Sequence, residues 1–285
     1  MAPMFALVAA VLFGASNNVA RQGLNHLDSQ SGTVVSISTT AVCLLLVSPW
    51  WMRAEDWYNP GVWIFAVGGL VHPIFSRLMA YEANKRVGPT VAAAFDGTAP
   101  LFAAGMAIAA LGERITLPIA AGTLLTAVGV TALYWRPSTP HEVMRAAALF
   151  ALGAAVLRAL ISVIGKFGLD VLPNPMMGVF VAYAVSTIAA WMIFGIRSRS
   201  ALPRFSQAGI LWFVSTGVIS AVAAACFFSA LFFGQVVVVT PIVSTTPLFT
   251  MLTALVFDAD RLPPRVIISV PIVVLGIVLV SLGRV

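Results

Sequence analysis

The stretch FALVAAVLFGASNNVARQGL (5–24) returns as FALGAAVLRALISVIGKFGL (150–169), without a gap and with nine identical positions in twenty. Arg21 of the first copy aligns with Lys166 of the second. Composition alone produces scattered matches of Ala and Val in apolar segments. It does not account for Phe and a basic residue held in register, so the chain contains an internal repeat.

The repeat extends to the far end of each half. TAPLF (98–102) corresponds to TTPLF (245–249), and in that register Arg114 aligns with Arg261. We therefore divide the chain into two units, residues 1–137 and 138–285. Each unit is predicted to contain five membrane spans, and an odd number of spans inserts the two units in opposite orientations. Inverted repeats are typical of secondary transporters, whose substrate site lies near the midplane where the repeats meet.

Composition excludes a soluble fold. Of the 285 residues, 60% are hydrophobic and 9% are charged, with a mean hydropathy of +0.99, whereas a soluble domain carries about 25% charged residues. Apolar runs of about 20 residues, the length of a spanning helix, exceed the roughly ten residues of a barrel strand. The predicted spans are 3–22, 31–50, 61–81, 89–111, 117–135, 146–165, 175–195, 208–233, 236–257 and 266–283. The predicted fold is an all-α polytopic membrane protein with ten transmembrane helices as two inverted five-helix repeats.

The distribution of basic residues bears on orientation. The net charge of +6 is attributed to cytoplasmic loops rather than to nucleic-acid binding. Loops on the side of both predicted termini carry four basic residues: Arg53, Arg114, Lys166 and Arg284. The opposite loops carry ten: Arg21, Lys85, Arg86, Arg136, Arg145, Arg197, Arg199, Arg204, Arg261 and Arg265. The positive-inside rule alone would thus place both termini outside.

Several kinds of site are not expected. Cys43 and Cys226 lie inside apolar runs, where cysteine behaves as a small packing residue. We expect no metal site and no cofactor, and the absence of a nucleotide-binding motif argues against ATP as the direct energy source. The first apolar stretch is expected to be a retained helix, because residues 1–4 contain no basic side chain.

The segment AYEANKRVGPTVAAAFDGTAPLFAAGMAIAALGERITLPIAAGTLLTAVGV (80–130) resembles the EamA repeat of the drug/metabolite transporter superfamily. The shared features are Pro100 within the fourth span, the turn Gly112-Glu113-Arg114 and a glycine-rich fifth span. The second half keeps Pro247 but replaces the turn with Asp-Ala-Asp-Arg (258–261), a departure from the pattern.

This resemblance carries its own expectations. It implies a cavity lined by spans 1, 3, 4, 6, 8 and 9, with spans 5 and 10 at the periphery, and both termini inside the cell. Within the family, the chain resembles the ten-helix amino-acid exporters, including the YddG-like aromatic amino-acid exporters. The expected function is secondary transport by alternating access, exporting amino acids or similar small metabolites. The expected setting is the lipid bilayer of a cell membrane, such as the bacterial inner membrane, with the protein as a monomer.

Ionisable groups inside a membrane are costly and mark candidate sites. Arg77 and Asp96 lie about nine and ten residues from the turn that joins spans 3 and 4, so they are predicted to pair at a similar depth. This pair is either structural or a cation-recognising, titrating site. Arg158 lies midway along span 6, and its repeat equivalent is Phe13. It is predicted either to bind a substrate carboxylate or to pair with Asp96 while Arg77 extends to the interface.

Polar residues complete the predicted site. His72 either packs or lines the cavity, and Ser76 falls on its face one turn later. Asn17 and Asn18, with Ser162 at the position equivalent to Asn17, either bond between helices or face the cavity. The remaining candidates for substrate binding are Thr98, Thr245 and Thr246. Pro100 and Pro247 are predicted mid-helix hinges, with further kinks at Pro73, Pro241 and Pro271.

Other functions were weighed against transport. A membrane enzyme would need an acidic metal motif or a His-Asp pair near a helix end, and the sparse acidic residues form no such cluster, so no enzymatic activity is expected. A channel would usually need a symmetric pore formed by several subunits. A carrier of another metabolite or drug class stays open, although one or two cavity arginines favour a singly anionic or zwitterionic ligand over a sugar phosphate.

Overall fold

The structure is a computed structural model, and it describes residues 1–76, 79, 98–134, 141–197, 206–257 and 265–283. Helices and no strands occur in these ranges. The helices are α1 (Ala2–Gly23), α2 (Ser29–Leu46), α3 (Gly61–Val71), α4 (Ala99–Leu111), α5 (Leu117–Tyr134), α6 (His141–Val171), α7 (Pro175–Arg197), α8 (Gln207–Phe233), α9 (Val236–Val243), α10 (Thr246–Phe257) and α11 (Arg265–Leu282). Two short 3₁₀ helices, Ser48–Trp50 and Ala54–Tyr58, lie between α2 and α3.

Helix length and composition fit a membrane-spanning bundle. Among the described residues, six stretches are long and apolar enough to cross a bilayer: Ala2–Gly23, Ser29–Leu46, Leu152–Val171, Pro175–Gly195, Gln207–Phe233 and Val236–Thr253. Shorter apolar helices occur at Gly61–Ser76, Ala99–Leu111, Leu117–Ala132 and Ser269–Leu282. The predicted all-α polytopic membrane fold is confirmed.

The packing between the halves is approximately symmetric. When each helix is replaced by its equivalent in the other half, the main contacts are found again. Helix α1 packs on α8 and α10, and the equivalent helix α6 packs on α3 and α4. Likewise α2 packs on α8, as α7 packs on α3. The pairs α2–α7 and α5–α11 join equivalent helices of the two halves, so each pair is its own counterpart. Each half therefore buries its helices mainly against the other half, and α5 and α11 pair together as the peripheral helices.

The ninth predicted span is not one helix. Helix α9 ends at Val243, and α10 begins at Thr246. The Thr245 hydroxyl donates to the carbonyl of Ile242 at 2.6 Å, and the Thr246 hydroxyl donates to that of Val243 at 2.7 Å. The Ile242 carbonyl also accepts from the amide of Thr245 at 3.2 Å, whereas the Thr246 hydroxyl takes the place of the amide that Pro247 lacks.

The mid-helix placement predicted for the paired prolines is wrong. Pro247 occupies the first turn of α10, and Pro100 occupies the first turn of α4, after Thr98. Proline is favoured there, because the first amides of a helix have no intrahelical acceptor. Pro241 and Pro271 do lie inside helices, in α9 and α11 respectively.

The third predicted span is also interrupted. Helix α3 ends at Val71, and His72 has an extended backbone with φ −134° and ψ 138°. Pro73 follows, and a residue that precedes proline is driven away from helical angles. Helical structure resumes at Ile74, so Pro73 ends a helix here rather than bending it.

The second span begins with a strong cap. The Asp28 carboxylate accepts hydrogen bonds from the amides of Gln30 at 3.0 Å and Ser31 at 3.2 Å. Partial burial raises the pKa of this carboxyl, but hydrogen bonds from Ser31 and Gln30 outweigh it and leave the pKa below its ordinary value. Its stabilisation of α2 is thus present at neutral pH and is lost as the pH falls through that lowered pKa.

Candidate functional site

The two asparagines of α1 both reach α10. Asn18 Nδ2 donates to the carbonyl of Thr250 at 2.6 Å and to Thr253 Oγ1 at 2.7 Å, and Asn18 is 5% exposed. Asn17 Nδ2 donates to Thr250 Oγ1 at 3.2 Å, but Asn17 itself is exposed. Asn18 therefore joins two helices, and Asn17 keeps an open side.

A glycine permits this close approach of α1 to α10. An added Cβ at Gly14 would lie 2.7 Å from the backbone nitrogen of Thr250, closer than real contacts allow. Thr250 and Thr253 were not predicted as site residues. Their spacing of three on one helical face was the available signal.

The crossing of α1 with α8 is polar. Ser16 Oγ and Ser220 Oγ lie 2.8 Å apart, and both residues are buried. At the equivalent crossing of α6 with α3, Ile161 takes the place of Ser16 and packs against Gly68. The two halves thus share a backbone arrangement but not the chemistry of this interface.

His72 and Ser76 lie together, although the continuous helix that their spacing assumes ends at Val71. Ser76 Oγ and His72 Nδ1 are 2.7 Å apart, and Ser76 is 2% exposed. On the other side, Ser186 of α7 donates to the carbonyl of His72 at 3.2 Å and also to that of Gly69. His72 is half-buried, so its imidazole is held at an interrupted point of the third span.

Arg158 lies half-buried in the middle of α6, the helix that packs against α3, α4 and α9. The Ser162 hydroxyl donates to the carbonyl of Arg158 at 3.1 Å, and Ser162 is 2% exposed. Arg77 and Asp96 lie outside the described residues. Both proposed pairings of Asp96, with Arg77 and with Arg158, therefore stay predictions.

The threonines of the site differ in exposure. Thr98 is half-buried just before α4, whereas Thr245 is fully buried and Thr246 is 7% exposed. Because the hydroxyls of Thr245 and Thr246 already bond to carbonyls of α9, these two residues maintain the break in the ninth span. Any contact that they make with a substrate would compete with those bonds.

A cluster of charges lies at the end of the bundle that carries both chain ends. Glu113 Oε1 accepts from the amide of Val236 at 2.8 Å, and Oε2 accepts from that of Val237 at 2.9 Å. Lys166 Nζ donates to the carbonyl of Leu231 at 3.1 Å and lies 3.5 Å from the Asp170 carboxylate. Beside them is a cavity of about 710 Å³.

Glu113 and Lys166 were not predicted as functional residues. The available signals were the Gly112-Glu113-Arg114 turn and the alignment of Lys166 with Arg21. Gly112 ends α4 in a left-handed conformation with φ 65°, and the amide of Glu113 donates back to Ala107 at 3.3 Å. This glycine termination turns the chain sharply, so that the next side chain leaves the axis of α4 and reaches α9.

Comparison with known proteins agrees with this architecture. The profile of the EamA-like transporter family matches residues 1–135 and again residues 145–282. A solved crystal structure superposes with a TM-score of 0.81 at 17% sequence identity, covering 99% of this chain and 96% of that chain; at this identity the likeness shows the fold alone. No curated protein matches. Because the family profile covers almost the whole chain in two copies, one in each half, this multi-pass membrane protein belongs to the EamA-like transporter family and is a transporter of small molecules.

Proposed function

We propose that the protein is a secondary transporter that exports amino acids or similar small metabolites by alternating access. The observation that carries the proposal is the exchange symmetry of the packing. Contacts of α1 with α8 and α10 have counterparts in contacts of α6 with α3 and α4. In inverted repeats of this kind, each half can adopt the conformation that the other half has here. The protein would then open to the opposite side of the membrane.

The substrate class follows from the charge at the centre of α6. A guanidinium is always protonated and presents donors in a planar fork that matches a carboxylate. Among the described candidate residues near the crossings, Asn17 and Thr98 carry no charge, and Arg158 carries a guanidinium. One or two cavity arginines favour a ligand with a single carboxylate, such as an amino acid, over a sugar phosphate.

Further aspects of the proposal follow from the expected family properties. The working unit is a monomer in a cell membrane such as the bacterial inner membrane, with residues 1–137 and 138–285 as its two repeat units. Arg77 and Asp96 form an ion pair that either joins spans 3 and 4 or recognises the substrate ammonium. Pro100 and Pro247 mark the points about which the half-helices move.

The test is a transport panel with purified protein in proteoliposomes. Radiolabelled amino acids, nucleosides and sugars are compared with and without a pH gradient, and empty liposomes provide the background. We expect counterflow of one or more amino acids above that background. Saturable transport of nucleosides or sugars with no amino acid transported would contradict the proposed substrate class.

The role of Arg158 is tested separately. Arg158→Ala should abolish transport of carboxylate substrates while leaving inserted, monodisperse protein, and Arg158→Lys should weaken apparent affinity because the planar fork is lost. The expected loss is roughly tenfold to a hundredfold, the contribution of one charged hydrogen-bonded pair. Decarboxylated analogues should change much less.

A structural role for Arg158 predicts a different result. If its main partner is Asp96, Arg158→Ala should express poorly or melt early in detergent, because it leaves a buried carboxylate unpaired. A stable, well-inserted Arg158→Ala protein with normal amino-acid transport would eliminate the substrate role, which would then pass to His72 and Asn17.

A further inference from the structure

Two charged side chains bond to the two helix ends at the turn between α8 and α9. Glu113 accepts from the first two amides of α9, and Lys166 donates to the carbonyl of Leu231 near the end of α8. The amides at a helix start and the carbonyls at a helix end lack intrahelical partners. An anion is favoured at the first and a cation at the second, so each charge lies at the helix end that it complements.

The same turn is also covered by the start of the chain. The rings of Phe5 on α1 and Phe233 at the end of α8 stack with centroids 5.8 Å apart and an interplanar angle of 11°. Glu113 and Phe5 belong to the first half of the chain, whereas the turn belongs to the second half. The contacts therefore tie one half to the other at this end of the bundle.

The charged contacts at this turn lie close to the surface, where water can compete for the same polar atoms. The Lys166 side chain is 19% exposed, and its partner Asp170 is 56% exposed. The cavity of about 710 Å³ adjoins Glu113, Lys166 and Gln235. The turn thus lies between this open cavity and α9, of which Val236, Val237 and Val239 are completely buried.

We propose that Glu113 and Lys166 are positioning residues of the transport cycle. With the atoms that they bind they form the α8–α9 clamp, which keeps the bundle closed on the side of both chain ends. Helix α9 is a short rigid segment between this clamp and the break at Ser244 and Thr245. Opening on this side moves the start of α9 away from Glu113, so the clamp bonds must break first. The inference rests on the proposed alternating access.

The test measures how often the buried face of α9 becomes accessible. Val239→Cys is introduced after Cys43 and Cys226 are replaced by serine, and its reaction with a membrane-impermeant methanethiosulfonate reagent is timed. In the parent the thiol should react slowly, because Val239 is completely buried. Glu113→Gln should raise the rate about tenfold, because the amide loses the charge and turns an N–H toward one donor of α9.

A second variant and a matched control make the test specific. Lys166→Met keeps the length of the side chain and should also raise the labelling rate, whereas Lys166→Arg should stay near the parent. Arg114→Gln removes a charge from the same turn, at an exposed side chain, and should leave the rate unchanged. The melting temperature in detergent identifies a variant that fails to fold. If either Glu113→Gln or Lys166→Met fails in this way, the labelling rate of the remaining folded variant decides the test.

The outcomes separate the clamp from the proposed function. Faster labelling in a protein that transports none of the amino acids would support the clamp and reject the substrate class. Parent-like labelling of folded Glu113→Gln and Lys166→Met, with amino-acid transport intact, would overturn the clamp and leave the proposed function standing.

Discussion

Neighbouring residues on α1 have opposite environments, and the difference follows from helical geometry. Successive residues of a helix point about 100° apart, so Asn17 and Asn18 approach Thr250 from different directions and are buried to different degrees. Asn18 is inserted between α1 and α10 with two hydrogen bonds, and Asn17 keeps one bond and an exposed side. The first is therefore suited to holding helices together and the second to meeting a solute.

This difference predicts distinct mutant behaviour. Asn18→Ala removes interhelical bonds that contribute about 0.6–2 kcal/mol each, so it should lower the melting temperature in detergent. Asn17→Ala loses one longer, exposed bond, so it should melt closer to the parent than Asn18→Ala does, and it should raise the KM for transport. Equal loss of stability in both variants, with KM unchanged in Asn17→Ala, would contradict the assignment.

At the scale of the element, the ninth span consists of two short helices, α9 and α10, that follow one another along the chain. At its break, Pro247 has no amide to donate to the carbonyl of Val243, and the Thr246 hydroxyl donates to that carbonyl instead. A break whose carbonyl is bonded in this way does not need water to stabilise it, and we expect α9 and α10 to move separately during transport.

Replacing the proline should therefore affect motion more than stability. In Pro247→Ala a new amide competes for the carbonyl of Val243 and favours a continuous helix. We expect several-fold slower transport with an unchanged or raised melting temperature. Pro271→Ala in the peripheral α11 is the control, and it should leave transport unchanged. Parent-like transport by Pro247→Ala would show that the break does not depend on this proline.

At the scale of the molecule, contacts place both chain ends at the same end of the bundle. Phe5 stacks on Phe233 at the end of α8, and Glu113 bonds to the start of α9. From the same α4–α5 turn, the Thr116 hydroxyl donates to the carbonyl of Gly283 at 2.9 Å. The beginning of α1 and the end of α11 are thus connected through one layer of turns.

The compartment that this layer faces is open to direct measurement. The family resemblance predicts the cytoplasm, whereas the count of basic residues predicts the outside. Fluorescent-protein and phosphatase fusions at each end should report one shared compartment, and we expect it to be the cytoplasm. Reporters on opposite sides would exclude the ten-span arrangement. A shared outside location would show that the basic loops dominate orientation.

Much of the molecule follows from local sequence. Apolar runs near 20 residues require spanning helices, because backbone hydrogen bonds must be satisfied within lipid. The register of residues 5–24 with 150–169 identifies the repeat. His72 and Ser76, predicted to share a face, do meet at 2.7 Å, although the continuous helix assumed by that prediction ends at Val71.

The rest depends on contacts between distant residues. Periodicity describes one helix at a time, so it does not report that Glu113 reaches amides 123 residues later or that Asn18 bonds to Thr250. It equally misses the interruptions at His72 and at Ser244 and Thr245, because the apolar runs continue through them. The sequence by itself determined the all-helical membrane fold and its two repeats. Only the tertiary structure decided which polar groups are used to hold helices together and which keep a side open, because that depends on the partner that each helix meets.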